Sequence, residues 1–305
     1  MARCRPTLAL PGAGRPAGPL PLPEAGGMSL GVFLIVLFAA ALHAGWNAIV
    51  KAGGDTRLTT VLVASGAALI AGGALPLLRP PAAASWPFIG ASTLLQIAYF
   101  ALVAETYRLV DMGLAYPLMR GTAPLLVALA GRLLFPEPLA AGAWLGIGIL
   151  CAGILGMALN ARRATSARGL ALALLNAAVI ASYTLVDAVG VRRSGAPAAY
   201  ALWIFLLTGL AMLGWALCRR RGACVAYLRR HWWRGLAGGL ATSASYGLAL
   251  WAMTGAPVAM VAALRETSIL FGTLIAGVIL HEKVSRARLT GACLIVIGAA
   301  ALRLG

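Results

Sequence analysis

Two arginines inside apolar stretches constrain this chain more than any other feature. Arg120 and Arg265 are 145 positions apart. Each stands about eight residues, roughly 12 Å along the axis at 1.5 Å per residue, into a run that reads as a membrane helix. The same displacement carries Glu137 to Glu282, Gly146 to Gly291 and Gly153 to Gly298, and nearly the same one carries Tyr99 to Tyr246. The second half therefore repeats the first in register. Each copy holds five apolar stretches, and an odd number of crossings turns one copy upside down relative to the other. The expected fold is all-α and integral to the membrane, with ten transmembrane helices in two inverted five-helix repeats. Such repeats place a solute site between the copies, near the bilayer midplane.

Of the 305 residues, 61% are hydrophobic and 11% charged, against about 45–50% and about 25% in soluble domains. At roughly 20 residues per crossing, the spans fall at 29–50, 58–78, 86–107, 112–134, 139–159, 168–190, 200–218, 233–254, 258–280 and 286–303. Pro76, Pro80 and Pro81 close the second, Pro136 and Pro138 bracket the turn that carries Glu137, and Pro257 opens the ninth. The first repeat covers residues 29–160 and the second 168–304. Residues 1–28 differ, being rich in Pro, Gly and Ala with no signal-peptide core. They read as a disordered tail, with Met28 as the natural start.

The net charge of +17 does not make this a nucleic-acid binder. The arginines flank apolar runs, at Arg162-Arg163, Arg192-Arg193, Arg219-Arg220-Arg221 and Arg229-Arg230, whereas a nucleic-acid reader needs a continuous basic face. Loops after odd-numbered spans hold about fifteen Lys and Arg, and those after even-numbered spans with the C-terminus about five. The positive-inside rule then makes the odd loops cytoplasmic and the termini external. The five cysteines, Cys4, Cys151, Cys218, Cys224 and Cys293, include no CxxC pair and suggest neither zinc nor redox chemistry.

A charge at the centre of a bilayer costs roughly 2.5–3.5 kcal/mol on insertion scales, so polar residues inside spans are the functional candidates. His43, Asn47 and Lys51 recur every fourth residue in the first span and share a face, with Trp46 beside it. Asn176, Tyr183 and Asp187 form a second stripe, in the sixth span, and Gln96 and Tyr99 a third, in the third span. Two readings stand for the stripes of the first and sixth spans: a lined cavity, or interhelical hydrogen bonding with Lys51 and Asp187 snorkelling at helix ends. Glu105 and Arg108, three residues apart, either pair or leave Glu105 facing the cavity. Arg120 and Arg265 either hold an anionic or carboxylate-bearing solute or brace the bundle through structural ion pairs. Glu266 adjoins Arg265, but consecutive helix residues do not face each other, so each arginine needs its own partner. The candidate solute-binding set is Arg120, Arg265, Trp46, Asn47, Tyr99, Tyr183 and Tyr246. The candidate proton-carrying set is Glu105, Glu266, Asp187 and His43.

The chain resembles the drug/metabolite transporter superfamily, specifically its ten-helix EamA-type members, over about residues 29–304. The segments "YPLMRGTAPLLVALAGRLLFPEPLAAGAWLGIGILCAGI" and "ALRETSILFGTLIAGVILHEKVSRARLTGACLIVIGAA" look like that family's fourth helix, glutamate turn and fifth helix, with Glu137 and Glu282 in the turns. "HAGWNAIVK" is similar to its first helix. The resemblance implies a multi-pass carrier of a small metabolite in the bacterial inner membrane, working by alternating access and often coupled to protons. It also implies a cavity lined by spans 1, 3, 4, 6, 8 and 9 and, against the charge count, termini in the cytoplasm. The implied partners are a small-molecule solute, anionic or amino-acid-like, and the lipid bilayer, with no nucleic acid and a homodimer left open.

Other classes fare worse. No GxxxxGK[ST] loop is present to bind ATP. An intramembrane lipid-modifying enzyme needs a clustered nucleophile, metal set or acid–base pair. No HExxH occurs, and the histidines are scattered at His43, His231 and His281. No catalytic residue, metal or cofactor is expected. A channel or scaffold is the remaining alternative.

Overall fold

The structure, a computed structural model, describes residues 28–110, 112–135, 139–159, 166–279 and 285–304. The expectations for residues 1–27, Glu137, His281 and Glu282 lie outside the described residues. All regular structure among the described residues is helical: α1 Leu30–Lys51, α2 Thr56–Ala74, α3 Trp86–Leu109, α4 Met112–Leu134, α5 Ala141–Leu159, α6 Ala167–Ser194, α7 Pro197–Ala252, α8 Val258–Arg265, α9 Ser268–Leu274 and α10 Arg286–Leu304. Short 3-10 turns flank the α2–α3 connection, and a π-helical turn, Ile275–Ile279, extends α9. Among the described residues nine helical stretches are long and apolar enough to cross a membrane.

Helix starts follow capping chemistry. Ser29 Oγ accepts from the Val32 N–H at 3.3 Å, and Asp55 Oδ1 accepts from the N–H groups of Arg57 and Leu58 at 2.9 and 3.0 Å. Ser166 Oγ accepts from Gly169 at 3.1 Å, so each cap satisfies a donor that the first turn leaves open. Gly195, with φ +62°, ends α6 in the left-handed conformation that glycine adopts without strain, and Pro197 restarts the chain as α7.

The seventh and eighth expected spans follow one another within α7, which is kinked between them. The 56 residues of α7 would reach roughly 84 Å at 1.5 Å per residue, far more than a bilayer core of about 30 Å. Its backbone leaves helical geometry at Arg220 and His231. These breaks separate two apolar limbs, each of crossing length, from a short basic segment between them. The arginine runs mark the break because they cannot be carried into hydrocarbon. The ninth span differs too. It is broken at Glu266 and Thr267, between α8 and α9.

Helix packing follows the sequence repeat. Helix α5 packs on α10, α3 on α6, α1 on α7, α4 on α6, and α1 on α8 and α9. Exchanging equivalent spans of the two halves turns the α3–α6 contact into that of α7's second limb with α1, and the α4–α6 contact into that of the broken ninth span with α1. The α5–α10 contact maps onto itself. Its crossing is made by two glycine pairs, Gly146 with Gly298 and Gly153 with Gly291. A Cβ on Gly298 would lie 2.7 Å from Gly146 O, and one on Gly291 would lie 2.7 Å from Gly153 O. These glycines let the backbones meet where any larger side chain would hold them apart. The pairs also exchange under the 145-residue displacement, as a two-fold relation between the halves requires. Gly235 and Gly239 of α7 admit the backbone of α2 around Gly66 in the same way.

Candidate functional site

Between the halves lies a cavity of about 110 Å³. Helix α1 contributes His43 and Trp46, α3 Gln96, Tyr99 and Phe100, α4 Arg120, and α6 Tyr183. The first limb of α7 supplies Phe205 and Thr208, the second Thr242 and Tyr246, and α8 supplies Arg265. Helix α2 adds Thr60, Val63 and Ala64. The walls thus come from both halves and are rich in aromatic rings. Tyr99, Tyr183, Tyr246 and Phe205 form a chain of edge-on rings with centroids 6.1, 6.3 and 6.1 Å apart, within the range for favourable aromatic contact.

The two arginines enter this space in different electrostatic states. Arg120 Nε lies 2.7 Å from Glu266 Oε2, with both side chains buried. The pair is close but poorly aligned: Arg120 Nε and Nη2 and Glu266 Oε2 have no hydrogen-bond partner, so the attraction is that of opposite charges in contact and not of a directed N–H···O bond. One residue on from Arg265, and so on a different side of the helix, Glu266 reaches Arg120 on α4 in the other half. Among the described residues no carboxylate stands within ion-pair distance of Arg265. Its guanidinium lies over the ring of Tyr246, 4.9 Å from the centroid, a cation–π seat. Equivalent arginines thus sit differently: Arg120 touches a carboxylate, whereas Arg265 touches none and is attracted by Asp187 and Glu266 only from farther off.

Tyr246 is held from behind. Its hydroxyl donates to Asp187 Oδ2, which also accepts from Ser92 Oγ at 2.9 Å. The other oxygen, Oδ1, accepts from Tyr200 OH at 2.9 Å. Asp187 is fully buried. It therefore does not snorkel to an interface. Three hydroxyls from α3 and both limbs of α7 replace the water it has lost. Gln96 Nε2 extends the network, donating to Ser92 Oγ at 3.2 Å.

The remaining sequence candidates separate. His43 and Trp46 line the cavity, with Trp46 Nε1 donating to His43 Nδ1 at 3.3 Å. Asn47 turns back to donate to the His43 carbonyl at 2.7 Å. Asn176 Nδ2 meets Met119 Sδ at 2.9 Å away from the cavity. Glu105 pairs with Arg108 at 3.0 Å on the exposed surface. The two tyrosines repeated in sequence, Tyr99 and Tyr246, both reach the wall. Phe205, Thr208, Thr60 and Val63 were missed because spans 2 and 7 were not expected to contribute. The only signal of Phe205, Thr208 and Thr60 is a ring or hydroxyl in an otherwise aliphatic run, and Val63 carries none. Among the described residues no group of three or more His, Cys, Asp or Glu could hold a metal ion.

Comparison with known proteins agrees with this architecture. Residues 167–304 match the EamA-like transporter family. No curated protein matches the chain. Among 28 matching chains of solved structures, one described as "Crystal structure of protein" has a TM-score of 0.66 at 19% identity. It is matched over 90% of this chain and 95% of its own, so the fold is shared across both halves.

Proposed function

Because residues 167–304 belong to the EamA-like transporter family, whose members generally carry small solutes across membranes, we propose that this protein is a secondary transporter of a small anionic metabolite in the bacterial inner membrane. The observation that carries the reading is Arg265 in a cavity walled by both halves, with no carboxylate in contact with its guanidinium. A cation in a desolvated, aromatic chamber is costly unless an anion comes to meet it. A carboxylate on the solute would take the place that Glu266 takes for Arg120, bound by the guanidinium fork. Trp46, Tyr99, Tyr183 and Tyr246 would enclose its apolar body. Movement of one half against the other would open the chamber to each face in turn.

Purified protein in proteoliposomes, loaded in turn with organic monoanions, cations and neutral solutes, tests this. Flux of monoanions is expected, with Arg265→Gln abolishing it in protein that still purifies as a folded monodisperse species. No flux or binding for any solute in a broad panel would sink the proposal.

A further inference from the structure

The segment joining the two limbs of α7 holds the densest charge in the chain. Arg219, Arg220, Arg221, Arg229 and Arg230 are all exposed. Trp232 and Trp233 follow, 61% and 54% exposed, and the Arg234 guanidinium lies 5.2 Å from the Trp233 ring centroid. No Asp or Glu occurs between Asp187 and Glu266, so nothing nearby in the chain offsets this charge.

The segment is also anchored. Cys224 is buried in a small core with Val61 and Ala216, against which Leu58, Leu217 and Leu228 pack. The Tyr227 and Thr59 hydroxyls share a hydrogen bond of 2.6 Å, and the Tyr227 ring stacks on His231 at 4.4 Å. One side is thus fixed to the start of α2, and the arginines project from the other. Arg57, also exposed, stands at the same end. Asp55, beside it, is engaged in capping α2.

We propose that this segment is a docking surface for the anionic phospholipid headgroups of the cytoplasmic leaflet. Planar guanidinium forks match phosphate oxygens in pairs. Exposed tryptophans next to a charged band are the side chains that settle at headgroup depth. A surface potential that decays within a Debye length acts on residues held at the leaflet, and the Cys224 and Tyr227 anchors hold these there. The same assignment places Met28 and Leu304 on the opposite, external face, in line with the distribution of Lys and Arg along the loops.

The test uses the full-length protein in detergent, titrated with phosphatidylglycerol and, separately, with phosphatidylcholine of the same acyl chains, with bound lipid counted by native mass spectrometry. Phosphatidylglycerol is expected to bind at least about tenfold more tightly, since neutralising several phosphates with Arg gives a strong electrostatic preference. The preference should collapse in Arg219→Gln/Arg220→Gln/Arg221→Gln/Arg229→Gln/Arg230→Gln and persist in Arg79→Gln, which lies beyond the other end of α2. Should the five-fold variant fail to fold, added salt on the wild-type protein gives the same readout and should erase the preference. Equal binding of the two lipids by the wild-type protein would overturn the proposal. So would a preference that survives both the variant and salt, or displacement of the lipid by inorganic phosphate, which would mark a small-anion site.

Discussion

Replacing Glu266 by Gln removes the partner of Arg120 while keeping its size. Two unit charges about 4 Å apart attract by about 4 kcal/mol at an effective dielectric of 20, and breaking a buried pair from one side generally costs about 3–5 kcal/mol. The poor alignment of Arg120 Nε on Glu266 Oε2 means that no directed charged hydrogen bond adds to this. The expected loss is therefore near the lower end, about 3 kcal/mol. Arg265→Gln should behave differently. It forfeits a cation–π contact worth about 0.5–2 kcal/mol but also removes a buried charge that no carboxylate touches, so the net change should stay within about 1 kcal/mol. In the double variant Arg120→Gln/Glu266→Gln neither charge is stranded, and most of the loss should return. Reversible unfolding in mixed micelles, titrated with SDS, measures all three. Equal destabilisation by Glu266→Gln and Arg265→Gln would refute the reasoning, because both arginines would then be braces. A harmless Glu266→Gln would show that the ion pair carries no weight.

Gly298→Ala places a Cβ 2.7 Å from Gly146 O and from Leu150 N and should destabilise by about 1–3 kcal/mol through overpacking. Gly148→Ala, with nothing within 4 Å, is the neutral control in the same unfolding assay. Tyr246→Phe keeps the ring beneath Arg265 but strips Asp187 of one donor. A loss of about 1.5–3 kcal/mol is expected, and Tyr246→Leu should in addition weaken binding of an organic monoanion measured by calorimetry. Glu105→Gln breaks only a surface pair and should change stability by less than about 0.5 kcal/mol with transport rates unaltered.

Much of this architecture can be read from the chain because lipid leaves few choices. Apolar stretches of fixed length become helices, since the backbone has no other way to satisfy its hydrogen bonds. The repeated Gly146, Gly153, Gly291 and Gly298 mark a crossing that the structure builds from those four residues. Arg120, Arg265 and the tyrosines stand out from the same background. Pairing is less legible. Neighbours in sequence give Glu266 to no arginine. Only the packing of the ninth span against α4 brings it to Arg120. Asp187 looks like a helix-end residue by position, yet Ser92, Tyr200 and Tyr246 converge on it from elsewhere. The contributions of α2 and α7 to the cavity depend on close glycine packing, whose pattern is lost among 37 glycines.

The interruption of the ninth crossing breaks the equality of the halves. Its counterpart α4 runs unbroken through Pro117 and Pro124, whereas α8 stops after eight residues and the chain resumes through a turn, a short helix and a π-helical stretch. A rod with a joint in it bends at the joint, and one without must tilt as a whole. On the proposed transport reading, the ninth span would yield at this tightened turn, whereas α4 would move as one piece.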